Sequence, residues 1–281
     1  MMAAQSNLVT RVITALVLAV VVIGTLVTGS TPLWAALVTL FCLAAVWEGV
    51  RLATEATGSA RAIIWISSAV VLAGLVFGVY SSSSRAVVSL TVFLVVAAGF
   101  WLFVATRQLA LRRIDLQTWP GRFTIALVIG AAWLSAVTLQ ILGAKFLIAV
   151  VVLTVVADVA AYFVGRAIGR VKLAPAISPG KTREGAIAGV IAAALWACAA
   201  SYYLGLAHTL LHGAAAFLAG AFLGMFAVIG DLWESQLKRQ AGAKDSSQLL
   251  PGHGGVLDRI DAQLSVLPLA TLLISLVKPL W

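Results

Sequence analysis

An all-α protein that crosses a membrane many times is predicted by three features of this chain: its apolar content, the length of its apolar runs and the placement of its charges. Of 281 residues, 62% are hydrophobic and only 10% are charged, whereas a soluble domain is roughly 45–50% apolar. The mean hydropathy is +1.07. A bilayer core takes about 20 apolar residues of helix. Nine runs fit, at 9–28, 33–53, 61–80, 86–106, 123–143, 146–168, 186–206, 212–232 and 262–280. Short breaks separate them: Gly29-Ser30-Thr31-Pro32, Thr57-Gly58-Ser59, the serines of 81–84 and Trp119-Pro120-Gly121. The first run follows Arg11 and ends without a small-residue cleavage site, so it reads as a retained span and not a removed signal.

The net charge of +9 does not point to nucleic acid, because no Arg/Lys stripe interleaves with aromatics. It follows instead from topology. With the N-terminus in the cytoplasm, sixteen of the 19 basic residues fall at cytoplasmic ends or loops, and only Arg85, Lys145 and Lys278 fall outside. That asymmetry fixes the orientation and puts the polar loops 107–122, 169–185 and 233–261 on the cytoplasmic side. Arg107, Arg112, Arg113 and Arg122, with Trp119, suit topology and anionic headgroups. Cys42 and Cys198 lie in apolar runs without CxxC or Cys/His spacing and read as core residues. Glu48 and Arg51, at i and i+3 near the end of the second run, read as a structural pair. His208 and His212 have no third ligand nearby and read as loop histidines.

Asp158 lies inside the sixth run, where an ionised carboxylate is costly and marks either a site or a buried pair. Arg166 stands two turns further along. The loop after it carries Ser178-Pro179-Gly180-Lys181-Thr182-Arg183-Glu184-Gly185. It is not a P-loop, since Pro175 occupies the place of the first glycine. Ser178, Lys181 and Thr182 ahead of a helix N-terminus still suit a phosphate, and Thr182 or Ser178 as a simple cap is the alternative.

Five of the ten acidic residues fall within 231–261. If helix continues past the eighth run, Asp231, Glu234, Ser235 and Lys238 share one face. Arg239 and Lys244 follow, and Pro251-Gly252-His253-Gly254-Gly255 forms a turn that lets backbone approach a ligand closely. Asp258, Arg259 and Asp261 open the last span. Carboxylates without Cys or His partners are hard oxygen donors that suit Mg²⁺ shared with substrate phosphates, and chemistry at phosphorus rests on positioning and charge stabilisation. A salt-bridged loop with helix caps is the alternative. His253 reads either as a general base or as a structural histidine.

The run S-x-L-K-R-x₄-K-D-x-S-x₂-L-P-x-H-G-G-V-x-D-R-I-D over 235–261 resembles the signature of the phosphatidate cytidylyltransferase (CDP-diacylglycerol synthase) family, without departure. The segment D-V-A-A-Y-F-V-G-R from Asp158, and S-P-G-K-T-R-E-G from Ser178, look like the same family, except that many members carry a basic residue at position 180 and an aromatic one at 183. The resemblance covers the C-terminal half and implies cytidylyl transfer from CTP to phosphatidic acid with Mg²⁺ as cofactor. It implies Asp231, Asp258 and Asp261 as metal ligands, with Lys238 and Arg239 beside them in the catalytic group. Lys244, Arg259 and the turn His253-Gly254-Gly255 would bind substrate, Ser178, Lys181 and Thr182 would form a second phosphate wall, and Asp158 and Glu234 are further site candidates. A homodimer in a bacterial inner membrane is also expected, with membrane helices in 1–145 and a catalytic domain in 146–281. A CTP-using polyprenol kinase and a transporter are the rival readings. The signature argues against the first, and the absence of midplane charges besides Asp158 against the second.

Overall fold

A computed structural model of the chain describes residues 2–53, 58–81 and 83–278, with side chains of the first helix described from Val12 onward. Thr57 and Ser82 of the expected breaks, and 279–280 of the last expected span, lie outside the described residues. In chain order the helices are α1 (Met2–Val27), α2 (Thr31–Leu52), α3 (Gly58–Val79), α4 (Ser84–Gly99), α5 (Thr106–Ala110), α6 (Trp119–Arg122), α7 (Thr124–Leu142), α8 (Ala144–Ile168), α9 (Arg183–Tyr203), α10 (Leu210–Gln240) and α11 (Leu257–Ser275). A π-helical turn, Phe100–Ala105, joins α4 to α5.

Among the described residues each expected apolar run falls mainly on helix, with the runs 186–206 and 262–280 leaving helix after Tyr203 and Ser275, and the protein is a polytopic all-α membrane protein. Among the described residues seven helical rods are long and apolar enough to cross a membrane, with Ser84–Ala110 and Trp119–Leu142 each counted as one. The described apolar part of α1, Val12–Val27, is shorter, and α11 carries Asp258, Arg259 and Asp261 in its first turns. Helix starts have ordinary causes. Ser30 caps α2 at the N–H of Leu33, with Pro32 in the first turn, and Thr209 caps α10 at the N–H of His212. Both are side-chain oxygens meeting otherwise free N–H groups. His212 Nδ1 in turn accepts from the N–H of exposed His208, so these two histidines organise a helix start.

The packing has two centres. α7 is apolar all round and buried almost throughout, against α2, α3 and α11. α8, α9 and α10 pack on one another in sequence, and α11 lies between α10 and α7. Small residues set the spacing of the three-helix group: a Cβ at Gly189 would stand 2.8 Å from Ala157 O, and one at Gly220 2.8 Å from both Ala193 O and Ala194 Cα. Without a hydrophobic force between helices in lipid, such backbone approach is what holds them.

Three features differ from the sequence reading. α10 runs eight residues past the expected end at 232, to Gln240. Residues 108–114 brace that extension: Gln240 Oε1 accepts from the N–H of Ile114 at 2.9 Å, Gln236 Nε2 donates to Arg112 O at 2.7 Å, and Trp233 Nε1 to Gln108 Oε1 at 2.8 Å. The second difference is a hairpin in the loop 169–185, where β1 (Lys172–Ala174) pairs antiparallel with β2 (Ser178–Thr182). The base of the hairpin is fixed by Glu184, which accepts from the N–H of Val171 at 3.2 Å, and by Arg183, whose N–H donates to Val171 O. Third, Glu48 and Arg51 do not pair. Arg51 lies over the ring of Trp47, while Glu48 is fully buried and turned towards the 246–257 segment.

The close α9–α10 contact has a measurable consequence. Gly220→Ala should lower stability in detergent by about 1–3 kcal/mol through overpacking. Gly213→Ala on the same helix, where a Cβ meets nothing within 4 Å, should be neutral or stabilising. Thermal unfolding of the two variants side by side checks this, and equal midpoints would refute the close-packing account.

Candidate active site

The close packing of α8, α9 and α10 leaves a cavity of about 610 Å³, with charged side chains in its wall, around the C-terminal half of α8. Asp158, Tyr162 and Arg166 line it from α8, Lys172 and Lys181 from the hairpin, and Asp231 from α10. Its floor is backbone: Gly165, Gly169, Gly185 and Gly189 all border it, and a Cβ at Gly185 would stand 2.6 Å from Ala161 O. Thr182 caps α9 by accepting from the N–H of Gly185 at 3.2 Å, and both residues line the cavity, so the start of α9 borders it. A helix N-terminus in that position favours an anion.

The charges in the cavity are paired across elements. Lys181, on β2, makes a direct ion pair with Asp231, on α10. Ser235 Oγ also donates to Asp231 Oδ1, at 3.3 Å. Asp158 lies within electrostatic reach of both Asp231 and Lys181, and Asp261, one turn into α11, within reach of Asp231, Asp158 and Lys181. One of these carboxylates, Asp231, contacts the Lys181 ammonium, and the other two lie within its electrostatic reach. Among the described residues no three acidic, His or Cys side chains close on a single point tightly enough to cage a metal unaided. Mg²⁺ does not need such a cage, since it keeps waters and takes one or two carboxylates together with substrate phosphates. Hard oxygens, no sulfur or imidazole, and a carboxylate already matched by a cation fit that ion.

A second polar group lies beside the first and is closed. Lys238 Nζ stands 2.6 Å from Glu234 Oε2 and 2.7 Å from Asp258 Oδ1, and all three side chains are buried. The Lys238–Glu234 contact is a charge contact, and among the described residues neither Glu234 oxygen has a hydrogen-bond partner. Asp258 is saturated by Lys238 and by the N–H groups of Gly255 (2.7 Å) and Ser246 (3.0 Å). The Gly-Gly pair serves this closure: Gly254 has φ +83°, and a Cβ on it would stand 2.6 Å from Asp258 Oδ2.

The structure therefore sorts the residues expected from sequence. Asp158, Lys181, Thr182 and Asp231 line the cavity, with Asp261 within electrostatic reach of it. Lys238, Asp258 and Glu234, with Gly254 and Gly255, form the closed group, in which the glycines approach carboxylates of the chain itself. Arg239 reaches back to the hairpin loop, donating to Ile177 O and Ala243 O. Lys244 and Arg259 are exposed, and His253 is half-buried, with Nδ1 unpartnered among the described residues. Ser178 sits in β2 but not in the cavity wall. Lys172 and Arg166 were not assigned from sequence. Arg166 was detectable, two turns from Asp158 on one helix, whereas Lys172 is brought in by the hairpin.

Fold and cavity together define a multi-pass membrane protein with a charged cavity between three close-packed helices. Residues 9–277 match the cytidylyltransferase family, and the chain belongs to that family. It is 36% identical over 268 residues to a phosphatidate cytidylyltransferase of Pseudomonas aeruginosa, covering 92% of this chain and 93% of the relative. A phosphatidate cytidylyltransferase of Brucella suis biovar 1 is 37% identical over 276 residues, covering 92% and 89%. One of Haemophilus influenzae is 45% identical over 130 residues, or 45% of this chain and 44% of the relative.

The closed group makes a stability prediction. Lys238→Met strands two buried carboxylates, and leaving buried charge uncompensated costs about 3–5 kcal/mol. The yield of folded protein in detergent should fall sharply. Adding Glu234→Gln, which removes one of the stranded charges, should recover part of it. A lone Lys238→Met protein with wild-type unfolding would contradict the assignment.

Proposed function

We propose that this chain transfers a cytidylyl group from CTP to phosphatidic acid with Mg²⁺, giving CDP-diacylglycerol and pyrophosphate. The observation that carries the reading is the cavity in which Lys181 faces Asp231 beside Asp158, with Arg166 and Lys172 in its walls. It offers both the carboxylates a metal-bridged triphosphate requires and the cations that neutralise its remaining charge. The match to curated phosphatidate cytidylyltransferases over 92% of the chain supports the same substrates.

In this reading Asp231 and Asp261 hold the metal, with Asp158 at the same cluster and Asp258 positioning the start of α11. When bound, Mg²⁺ supplies charge neutralisation and in-line alignment at the triphosphate. Lys181 exchanges its partner Asp231 for substrate phosphate, and Arg166 and Lys172 bind further phosphate oxygens. The glycine floor and the α9 N-terminus let backbone N–H groups approach the anion. A phosphate-monoester oxygen of the lipid attacks the α-phosphorus of CTP. The bond from that phosphorus to the bridging oxygen of the β-phosphate breaks, and pyrophosphate leaves. The lipid phosphate carries most of its second negative charge at neutral pH, with a pKa near ~6 like other phosphate monoesters, so the cavity needs no dedicated general base. The bacterial relatives support a bacterial inner membrane, and the basic loops support a cavity that opens to the cytoplasm.

Purified protein in detergent with phosphatidic acid, Mg²⁺ and CTP labelled on the α-phosphate tests the reaction. Label should enter the lipid with release of pyrophosphate, and Asp231→Asn and Lys181→Met should each reduce turnover by about 10²-fold or more, as removal of preorganised charge stabilisation does. Label recovered only as CDP would instead identify a lipid kinase and overturn the proposal.

A further inference from the structure

Glu48 belongs to the last turn of α2, far in sequence from every residue assigned to the site, yet it is fully buried and accepts four hydrogen bonds. Oε1 accepts from Ser247 Oγ at 2.6 Å and from the N–H of Val256 at 2.9 Å. Oε2 accepts from Ser246 Oγ at 2.9 Å and from the N–H of Leu257 at 2.7 Å. The carboxylate thus ties the two ends of the 246–257 segment together and satisfies N–H groups at the start of α11, which no side chain of the helix's own N-cap position does. A Cβ at Gly255 would strike both Ser246 Oγ and Glu48 Oε1, so the second glycine of the signature is required by this contact.

We infer that Glu48 is a positioning residue for the active site: it holds the loop that clamps Asp258 and the helix that carries Asp261. Its bonded atoms are neighbours of the clamp itself. Ser246, whose hydroxyl binds Glu48, gives its N–H to Asp258. Gly255, whose N–H also binds Asp258, adjoins Val256, which binds Glu48. A rigid path runs from α2 through this loop to Lys238 and α10. The inference rests on the proposed cytidylyl transfer for its kinetic consequence, but not for its geometric one.

The chemistry of the site makes glutamine a sharp probe. Each oxygen receives one hydroxyl, which can rotate, and one backbone N–H, which cannot. Whichever way the amide of Glu48→Gln is turned, its NH₂ faces a fixed N–H, either that of Val256 or that of Leu257. Glu48→Asp keeps both acceptors on a shorter stem.

The experiment compares Glu48→Gln, Glu48→Asp and the control Arg51→Gln in detergent, at a temperature where size exclusion shows each to be folded. Glu48→Gln should lower kcat about 10–100-fold, the scale of a displacement of about 1 Å, with KM for CTP within about threefold. Glu48→Asp should recover part of the loss, and Arg51→Gln should match wild type. Amide exchange across 245–257 should accelerate in Glu48→Gln. Folded Glu48→Gln with wild-type kcat would overturn the inference. If Glu48→Gln is not recovered folded, Ser246→Ala/Ser247→Ala removes two of the four bonds and leaves the carboxylate, and wild-type kcat in that double variant overturns the inference equally. Should wild type itself transfer no cytidylyl group, the proposed reaction fails, whereas unchanged exchange in Glu48→Gln would refute the positioning role on its own.

Discussion

One ammonium group holds together the polar interior of this bundle. Lys238 lies between Glu234 on its own helix and Asp258 on the next, and all three are buried. Desolvating two carboxylates is tolerable only because a single cation touches both, and such a set is stable as a whole and unstable in parts. Everything around the signature loop is arranged on that contact. Asp258 can accept the N–H groups of Ser246 and Gly255 because Lys238 compensates its charge, and those N–H groups fix the loop whose hydroxyls and amides then converge on Glu48. The turn, the start of α11 and the end of α10 are consequences of one charge balance in a medium of low dielectric constant.

The polar residues divide by whether their bonding capacity is used. In the group around Lys238, Asp258 and Glu48 are filled by donors from the chain. In the cavity, Asp158, Lys181 and Asp231 from three elements form a loosely matched set that another charged species can enter. Both sets lie on α10, less than two turns apart: Asp231 and Ser235 serve the cavity, Glu234 and Lys238 the closed group. The closed, ion-paired set immobilises the helix beside the cavity residues, an arrangement that preorganised charge stabilisation requires.

Much of this was legible in the sequence, and the rest was not for definable reasons. Hydropathy and breaks located the helices because a bilayer constrains length and composition so tightly. The extension of α10 was foreseen only conditionally, from the spacing of Asp231, Glu234 and Lys238, since the braces that secure it come from residues 108–114. The hairpin escaped notice because its strands contain Gly180 and Pro179 and lack any alternation, and it is fixed by Glu184 and Arg183 beyond its ends. Glu48 was matched to Arg51 by local spacing, while its partners lie about two hundred positions away. Asp158 and Asp258 shared one ambiguity: a carboxylate in a helix reads alike whether its neighbours leave it open or fill it. Only the three-dimensional count of donors, three for Asp258 from Lys238, Gly255 and Ser246, separates them.

The reach from Glu48 to its donors has a consequence for biogenesis. The separation along the chain is 198 residues to Ser246 and 209 to Leu257, so α2 is synthesised long before any of its carboxylate's partners exist. At about 5–20 residues per second, that interval lasts on the order of ten to forty seconds. Throughout it α2 carries an acid with no native partner, at a position that is fully buried in the finished protein. The nascent helix has to keep that end in contact with water or headgroups until the last helix arrives. The α2–α11 contact is then among the final steps of assembly, and a polypeptide truncated before residue 246 lacks all four donors to the Glu48 carboxylate.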